Sequence, residues 1–247
     1  MSKVILTKQT REILSNFSTI NSSILFRKGS TIKTISVGEN AVAEYECEED
    51  FPQTFGIYDL NQFMSGLSLF TQDKSADPVL EFNNDSFLTI HGGGKAASYT
   101  EKYFFSSPEI TLKAAPEKEI TFPTTDMHFS VTNDDIKTLQ KGSLIYGLPD
   151  LSFISTSDGC IKLQLCDRED PTGNVYAQRI KGETTGDYEL YMKMDNVRLA
   201  YGNYDVRVSN SLITEWKHKD LNLKYYIALE PLWKKSFCGL SSTVLVL

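Results

Sequence analysis

A chain that passes through the same order of elements twice is constrained to build two like halves, and this sequence does so. An amphipathic segment opens each half, at Thr7 and at Asn133. In Thr7 to Asn21, Ile13, Leu14, Phe17 and Ile20 share one helical face, opposite Lys8, Arg11, Glu12, Ser15 and Thr19. The counterpart begins with Asn133-Asp134-Asp135, a cap and acidic first turn, and sets Lys137 and Lys141 four apart, with an expected end near Gly142. Runs rich in β-branched and aromatic residues follow each helix, among them Ser23 to Ser36 and Cys160 to Cys166. A shorter helical stripe then appears in each half, Asp59 to Phe70 and Met194 to Tyr201, the latter stopped by Gly202. More strands close each half, so the order repeats with a period of about 130 residues. Val79 to Ile90 compares with Tyr204 to Glu215, and Thr100 to Ser106 with Leu223 to Leu229.

The expected organisation is therefore an N-terminal unit over 1–107, a connector over 108–125 marked by Pro108, Pro116 and Pro123, a C-terminal unit over 126–231, and a tail over 232–247. The fold class is α+β, with two tandem and similar units.

Composition excludes several functions. The 247 residues carry 25 Lys and Arg against 32 Asp and Glu, a formal charge of −7, so bulk positive charge does not hold a nucleic acid; a local basic surface remains open. Apolar residues make up 40%, ordinary for a globular chain, and no apolar run approaches the roughly 20 residues of a membrane span. The sequence turns polar at Thr7, so an intracellular chain with no membrane association is expected. Four scattered cysteines and three histidines form no metal-ligand spacing, so neither a metal nor a cofactor is expected.

Catalytic motifs fail on inspection. His91-Gly-Gly-Gly-Lys95 spells an oxyanion element, but no G-x-S-x-G elbow accompanies it. As a phosphate loop it lacks the first Gly and the Ser or Thr after Lys, so a hairpin turn is the simpler reading. The acidic run Glu44, Glu46, Glu48, Glu49 and Asp50 lacks the order of a calcium loop and reads as a solvated strand edge. No nucleophile, base and orienting group assemble, and an enzyme is not expected. What remains is the placement of cations on equivalent elements: Lys8 and Arg11, Lys137 and Lys141, and Lys193 with Arg198.

Several stretches resemble the DNA-polymerase sliding clamps of T-even-type bacteriophages. They are Asn16 to Ile24 with Arg27-Lys-Gly29, Ile57-Tyr-Asp-Leu-Asn-Gln-Phe63, Asp134 to Lys141, Tyr201-Gly-Asn-Tyr-Asp205 and Tyr226-Ile-Ala-Leu-Glu230. Leu223-Lys-Tyr-Tyr-Ile-Ala228 is also similar to the closing strand of the eukaryotic clamp, the proliferating-cell nuclear antigen. The likeness runs in order from Leu6 to Glu230.

The resemblance implies two clamp domains per chain, with helices inside and antiparallel sheets outside. Three chains would close head to tail into a pseudo-sixfold ring around double-stranded DNA. It implies a DNA-facing lining of Lys8, Arg11, Lys137, Lys141, Lys193 and Arg198, although the matching side of the second helix (Asn61, Gln62, Ser65) has no cation. It implies subunit edges at Tyr99, Glu101, Tyr103 and Phe105 on one side, and Val175, Tyr176, Gln178 and Ile180 on the other. A groove for partner peptides would involve Ile110, Leu112, Leu229 and Pro231. The implied function is a homotrimeric processivity factor that tethers a replicative DNA polymerase after a clamp loader opens the ring. It would act in the cytoplasm of an infected bacterium, with late transcription as a second role. Two other classes fit the composition: a β-rich trimeric phage structural or assembly protein, and an acidic hydrolase.

Overall fold

The computed structural model describes residues 2–71, 77–92, 98–107, 113–170 and 172–231. The first half runs β1 (Ser2–Ile5), α1 (Lys8–Ile20), β2 (Ile24–Phe26), β3 (Gly29–Ile35), β4 (Ala41–Phe51), β5 (Phe55–Ile57), α2 (Leu60–Leu69), β6 (Val79–Phe82), β7 (Phe87–His91) and β8 (Thr100–Phe104). The second half runs β9 (Met127–Val131), α3 (Asn133–Tyr146), β10 (Asp150–Ser155), β11 (Cys160–Cys166), β12 (Tyr176–Thr184), β13 (Glu189–Lys193), a 3₁₀ turn (Met194–Asn196), β14 (Tyr204–Ser209), β15 (Ile213–His218) and β16 (Leu223–Ala228).

The duplication is visible in the ladders. Strands β1-β6-β7-β8 lie in the order that β9-β14-β15-β16 repeat, and the pair β2 and β5 is matched by β10 and β13. Even the isolated bridges correspond: Gly56 with Ser106, and Tyr191 with Glu230. Between the halves, β16 pairs antiparallel with β4, Tyr225 opposite Ala43, so one sheet of ten strands crosses the chain.

Local chemistry sets the helices. Thr7 caps α1 by accepting from the Thr10 amide, Asp59 caps α2 through the Gln62 amide, and Thr132 with Asp135 forms a capping box on α3. Helix α3 runs past the expected stop at Gly142. That glycine is buried, and an added Cβ would stand 3.0 Å from Leu165 Cδ1, so it is a close-packing glycine within the helix. The stop is Gly147, left-handed at φ 65°. Opening strands β1 and β9 lack a long β-branched run and carry no strand reading in the sequence. The single expected run over Ser23 to Ser36 is broken between β2 and β3 at Gly29, where φ is +112°. The expected helix over Met194 to Tyr201 is only the three-residue 3₁₀ turn.

Register also corrects the comparison of the two halves. Equating Ser106 with Glu230 sets Glu101 against Tyr225 and Tyr103 against Ile227, one residue away from the alignment read in sequence. Burial agrees, since Leu80 and Phe82 match Val206 and Val208. A one-residue slip would exchange the two faces of each strand.

Each half has its own aromatic centre. Phe26 stacks on Phe55 with centroids 4.6 Å apart, flanked by Phe51, Phe82 and Phe105. In the second half Phe153 and Tyr204 both contact Trp216, whose Nε1 donates to Thr214 Oγ1 at 3.0 Å. Glu49 departs from the acidic run around it. It is buried, and its carboxylate accepts from the Thr7 amide at 2.8 Å and the Thr10 hydroxyl at 2.7 Å, fixing the start of α1. Burial pushes its pKa up, but the Thr10 and Thr7 hydrogen bonds outweigh that and hold it below its ordinary 4.5. A depressed folded pKa gives stability that is complete above the unfolded value and is lost as pH falls through the folded one. Glu49→Gln is expected to cost about 1–3 kcal/mol at neutral pH. It should also flatten the loss of stability below pH 4.5, read from urea melts at pH 3.5 to 7.

Candidate functional site

The cations expected to share one surface have different fates. Lys8 is exposed on the first turn of α1, with Glu12 at 3.5 Å across one helical turn, a pair of little weight in water. Arg11 is turned inward: its side chain is 15% exposed, pairs with Asp77 at 2.7 Å and donates to the Leu6 carbonyl. It braces the start of α1 and presents no free charge, a correction to the expected lining. Lys193 is also engaged, 2.8 Å from Oδ1 of the buried Asp150, the same oxygen that Arg168 Nε approaches at 3.5 Å. Lys137 stands over the Tyr201 ring, 4.9 Å from its centroid. Lys141, on the same face of α3, is exposed and makes no ion pair among the described residues.

Arg198 works at the joint between the halves. Its Nε donates to the Asp195 carbonyl at 2.9 Å, and its Nη1 to the Thr19 carbonyl in the last turn of α1. A guanidinium on the orphan Thr19 carbonyl caps the helix and complements its dipole. Around it, Asn16 Nδ2 donates to the Arg198 carbonyl at 3.1 Å, and the Tyr225 hydroxyl donates to Asn16 Oδ1 at 2.7 Å. The Ala200 amide donates back to the Tyr225 oxygen at 3.0 Å, and the Tyr204 hydroxyl to the Ala200 carbonyl. Burial pushes the Tyr225 phenol well above its usual range, so it stays a neutral donor. Sequence reading missed this joint, whose members lie up to 209 positions apart.

Two of the strand edges left open among the described residues lie on β8 and β12. Strand β8 pairs only with β7 along its length, and the Tyr176 to Lys181 stretch of β12 pairs only with β11, while Gly182 to Thr184 turn to β9. Of the residues expected there, Tyr99 and Phe105 flank β8, Glu101 and Tyr103 lie within it, Val175 precedes β12, and Tyr176, Gln178 and Ile180 lie within that strand. The alternate side chains face the chain's own helices. Tyr103 packs on Phe63 at 4.9 Å, Glu101 lies against Gly66, and Gln178 donates to Asp135. The open groups are those of the backbone.

Apolar residues crowd both edges. Near β8 these are Leu69, Tyr99 and Phe104, of which Leu69 and Phe104 border a cleft of about 520 Å³ that Glu101 and Gly66 also line. Near β12 they are Leu144, Ile145, Tyr146 and Val175, with Leu144 83% exposed. Single exposed apolar residues are ordinary, but two such clusters beside two open ladders are not.

Of the expected groove, Leu229 is buried and Pro231 exposed, while Ile110, Leu112 and the tail from 232 onward lie outside the described residues. So does Gly93 to Lys95 of the glycine run, whose His91 meets Glu81 at 2.9 Å. No helix among the described residues is long and apolar enough to cross a membrane.

A family model of DNA polymerase processivity factors matches residues 7–101. The sliding clamp of Vibrio phage KVP40 is 27% identical over 233 residues, covering 92% of this chain and 99% of that protein. The sliding clamp of Enterobacteria phage T4 is 28% identical over 207 residues, covering 81% and 84%. Among solved structures, the proliferating-cell nuclear antigen of Thermococcus kodakaraensis superposes with a TM-score of 0.69 at 11% identity, covering 92% of this chain and 99% of that one. The Entamoeba histolytica antigen gives 0.66 at 14% identity, covering 89% and 94%. The Archaeoglobus fulgidus antigen, solved with the C-terminal region of FEN-1 bound, gives 0.67 at 14% identity, covering 94% and 99%.

Proposed function

We propose that this chain is a DNA polymerase processivity factor, like the phage sliding clamps it is similar to, and that three copies close head to tail into a ring that encircles duplex DNA and tethers the polymerase. The clamp acts as a tether and not as a catalyst. A clamp loader would open the ring, and the infected bacterium's cytoplasm would be its place of work.

The observation that carries the ring is the internal repeat. Strand β4 of the first half meets β16 of the second half within the chain. Their counterparts are β12 and β8, each of which keeps an unpaired edge among the described residues. The same pairing, made between copies, would cover both of these edges. Two joints of one kind per copy give pseudo-sixfold symmetry in a trimer, and a heterologous contact whose rotation closes makes a ring and not a fibre. Transferring the register sets Glu101 of one copy opposite Tyr176 of the next and Lys102 opposite Val175.

A ring holds DNA by topology, so the net charge of −7 per copy is no obstacle. Lys8, Lys137 and Lys141 are the expected lining cations that the single chain leaves exposed, and their contacts to phosphate would be independent of sequence and therefore permit sliding. Partner peptides would dock beside Leu229 and Pro231, together with Ile110 and Leu112.

The test is native mass, then retention on nicked circular DNA against linear DNA. A mass of three chains with retention only on circles is expected, and a monomer at tens of micromolar overturns the ring. Lys137→Glu is expected to lower retention several-fold with the trimer intact, the loss shrinking as salt rises. An equal loss from Lys162→Glu on β11 would remove Lys137 from the lining.

A further inference from the structure

We infer that Lys141 is an electrostatic latch between copies of the chain, paired with Glu101 of the next copy, and that Ile145 seats beside it. The inference rests on the ring reading above and assigns side chains to its joint.

Two independent equivalences lead to this pair. Equating the helix caps Thr7 and Thr132 makes Lys141 the counterpart of Asn16, and Ile145 the counterpart of Ile20. Equating the bridged residues Ser106 and Glu230 makes Glu101 the counterpart of Tyr225. Asn16 and Tyr225 are already partners, joined by the 2.7 Å hydrogen bond that ties the two halves within one chain. The joint between copies therefore brings the Lys141 ammonium to the Glu101 carboxylate. A cation stands where the inner joint has an acceptor amide, and an anion where it has a donor hydroxyl, so the substitutions are complementary.

The surroundings agree. Neither Lys141 nor Glu101 has an ion-pair partner among the described residues of its own chain. Gly142, next to Lys141, packs on Tyr176, with an added Cβ 3.7 Å from the ring, and Tyr176 is the residue placed opposite Glu101. Glu101 lines the cleft beside α2 together with Leu69 and Phe104. Ile20 is 6% exposed at the inner joint, where it lines a small cavity with Asn196 and Arg198. Its counterpart Ile145 is 73% exposed, as an interface residue must be in a lone copy. Only one occupant supplies a lysine at the required height and an isoleucine one turn further on: a second copy of this chain.

The experiment measures the trimer dissociation midpoint by native mass over a dilution series for wild type, Lys141→Glu, Glu101→Lys and the double swap. Each single reversal is expected to raise the midpoint about tenfold or more, because it sets like charges together three times per ring. The swap is expected to return it to within about threefold of wild type. Lys141→Gln and Glu101→Gln, which remove charge without reversing it, should fall between. If Lys141→Glu lowers retention on circular DNA while the midpoint stays put, the lysine faces phosphate and the latch is refuted with the ring intact. A swap no better than the worse single variant refutes it equally. A wild type that is monomeric throughout overturns the ring itself.

Discussion

The Val175→Pro variant is expected to form folded monomers that no longer assemble. Val175 is 62% exposed, stands just before β12, and its amide finds no partner among the described residues, so proline costs the single chain little. At the joint between copies the same amide sits on the edge that must pair with β8. Proline removes that donor and turns Asn174 away from other geometries, which a two-stranded joint of a few residues tolerates poorly. The midpoint for dissociation should rise more than tenfold while the thermal melt of the monomer is unchanged. Retention on circular DNA and processive synthesis should be lost together, since both depend on closure. A trimer of wild-type stability would mean that β12 and β8 are not the joint.

Gly202→Ala is expected to be the most damaging single methyl in the second half. An added Cβ would lie 2.0 Å from His218 Nε2, far inside contact distance. His218 is buried and cannot move freely. Its Nδ1 accepts from the amides of Asp220 at 3.0 Å and Leu221 at 3.1 Å, and its ring packs edge-on to Tyr204. Because Nδ1 accepts twice, the proton lies on Nε2, facing the Tyr201 carbonyl at 3.2 Å. Displacing the ring orphans two backbone donors and opens the core beside the Tyr204 and Tyr225 joint. Overpacking with lost hydrogen bonds is worth about 2–4 kcal/mol, roughly 5–15 °C in melting temperature for a chain of this size. The double variant Gly202→Ala with His218→Ala should recover part of the loss by removing the clash. A single variant that melts within a degree of wild type would show that the ring shifts without cost.

Both predictions turn on contacts between residues far apart in sequence, and there the line between sequence and structure falls. The tandem order of elements and the three helices were legible, because amphipathic spacing is a local property, whereas the caps came from the structure, with Thr132 capping α3 where Asn133 was expected. The strands Thr100–Phe104 and Tyr176–Thr184 were legible as well, as runs of β-branched and aromatic residues. Charge placement was legible only in part: the helical wheel put Lys8, Arg11, Lys137 and Lys141 on polar faces, but a wheel does not show what stands opposite. Asp77 draws Arg11 inward, Asp150 holds Lys193, and the carbonyl of Thr19 takes Arg198. Glu49 looked like its solvated neighbours until folding set it under the first turn of α1. The alignment of the two halves slipped by one residue because a strand's composition is nearly blind to register, whereas the ladder and the burial of alternate side chains fix it. Local periodicity thus determined which elements form and in what order. Only the packed structure decided which side chains remain free to meet another molecule, because burial and pairing come from neighbours that the sequence does not place side by side.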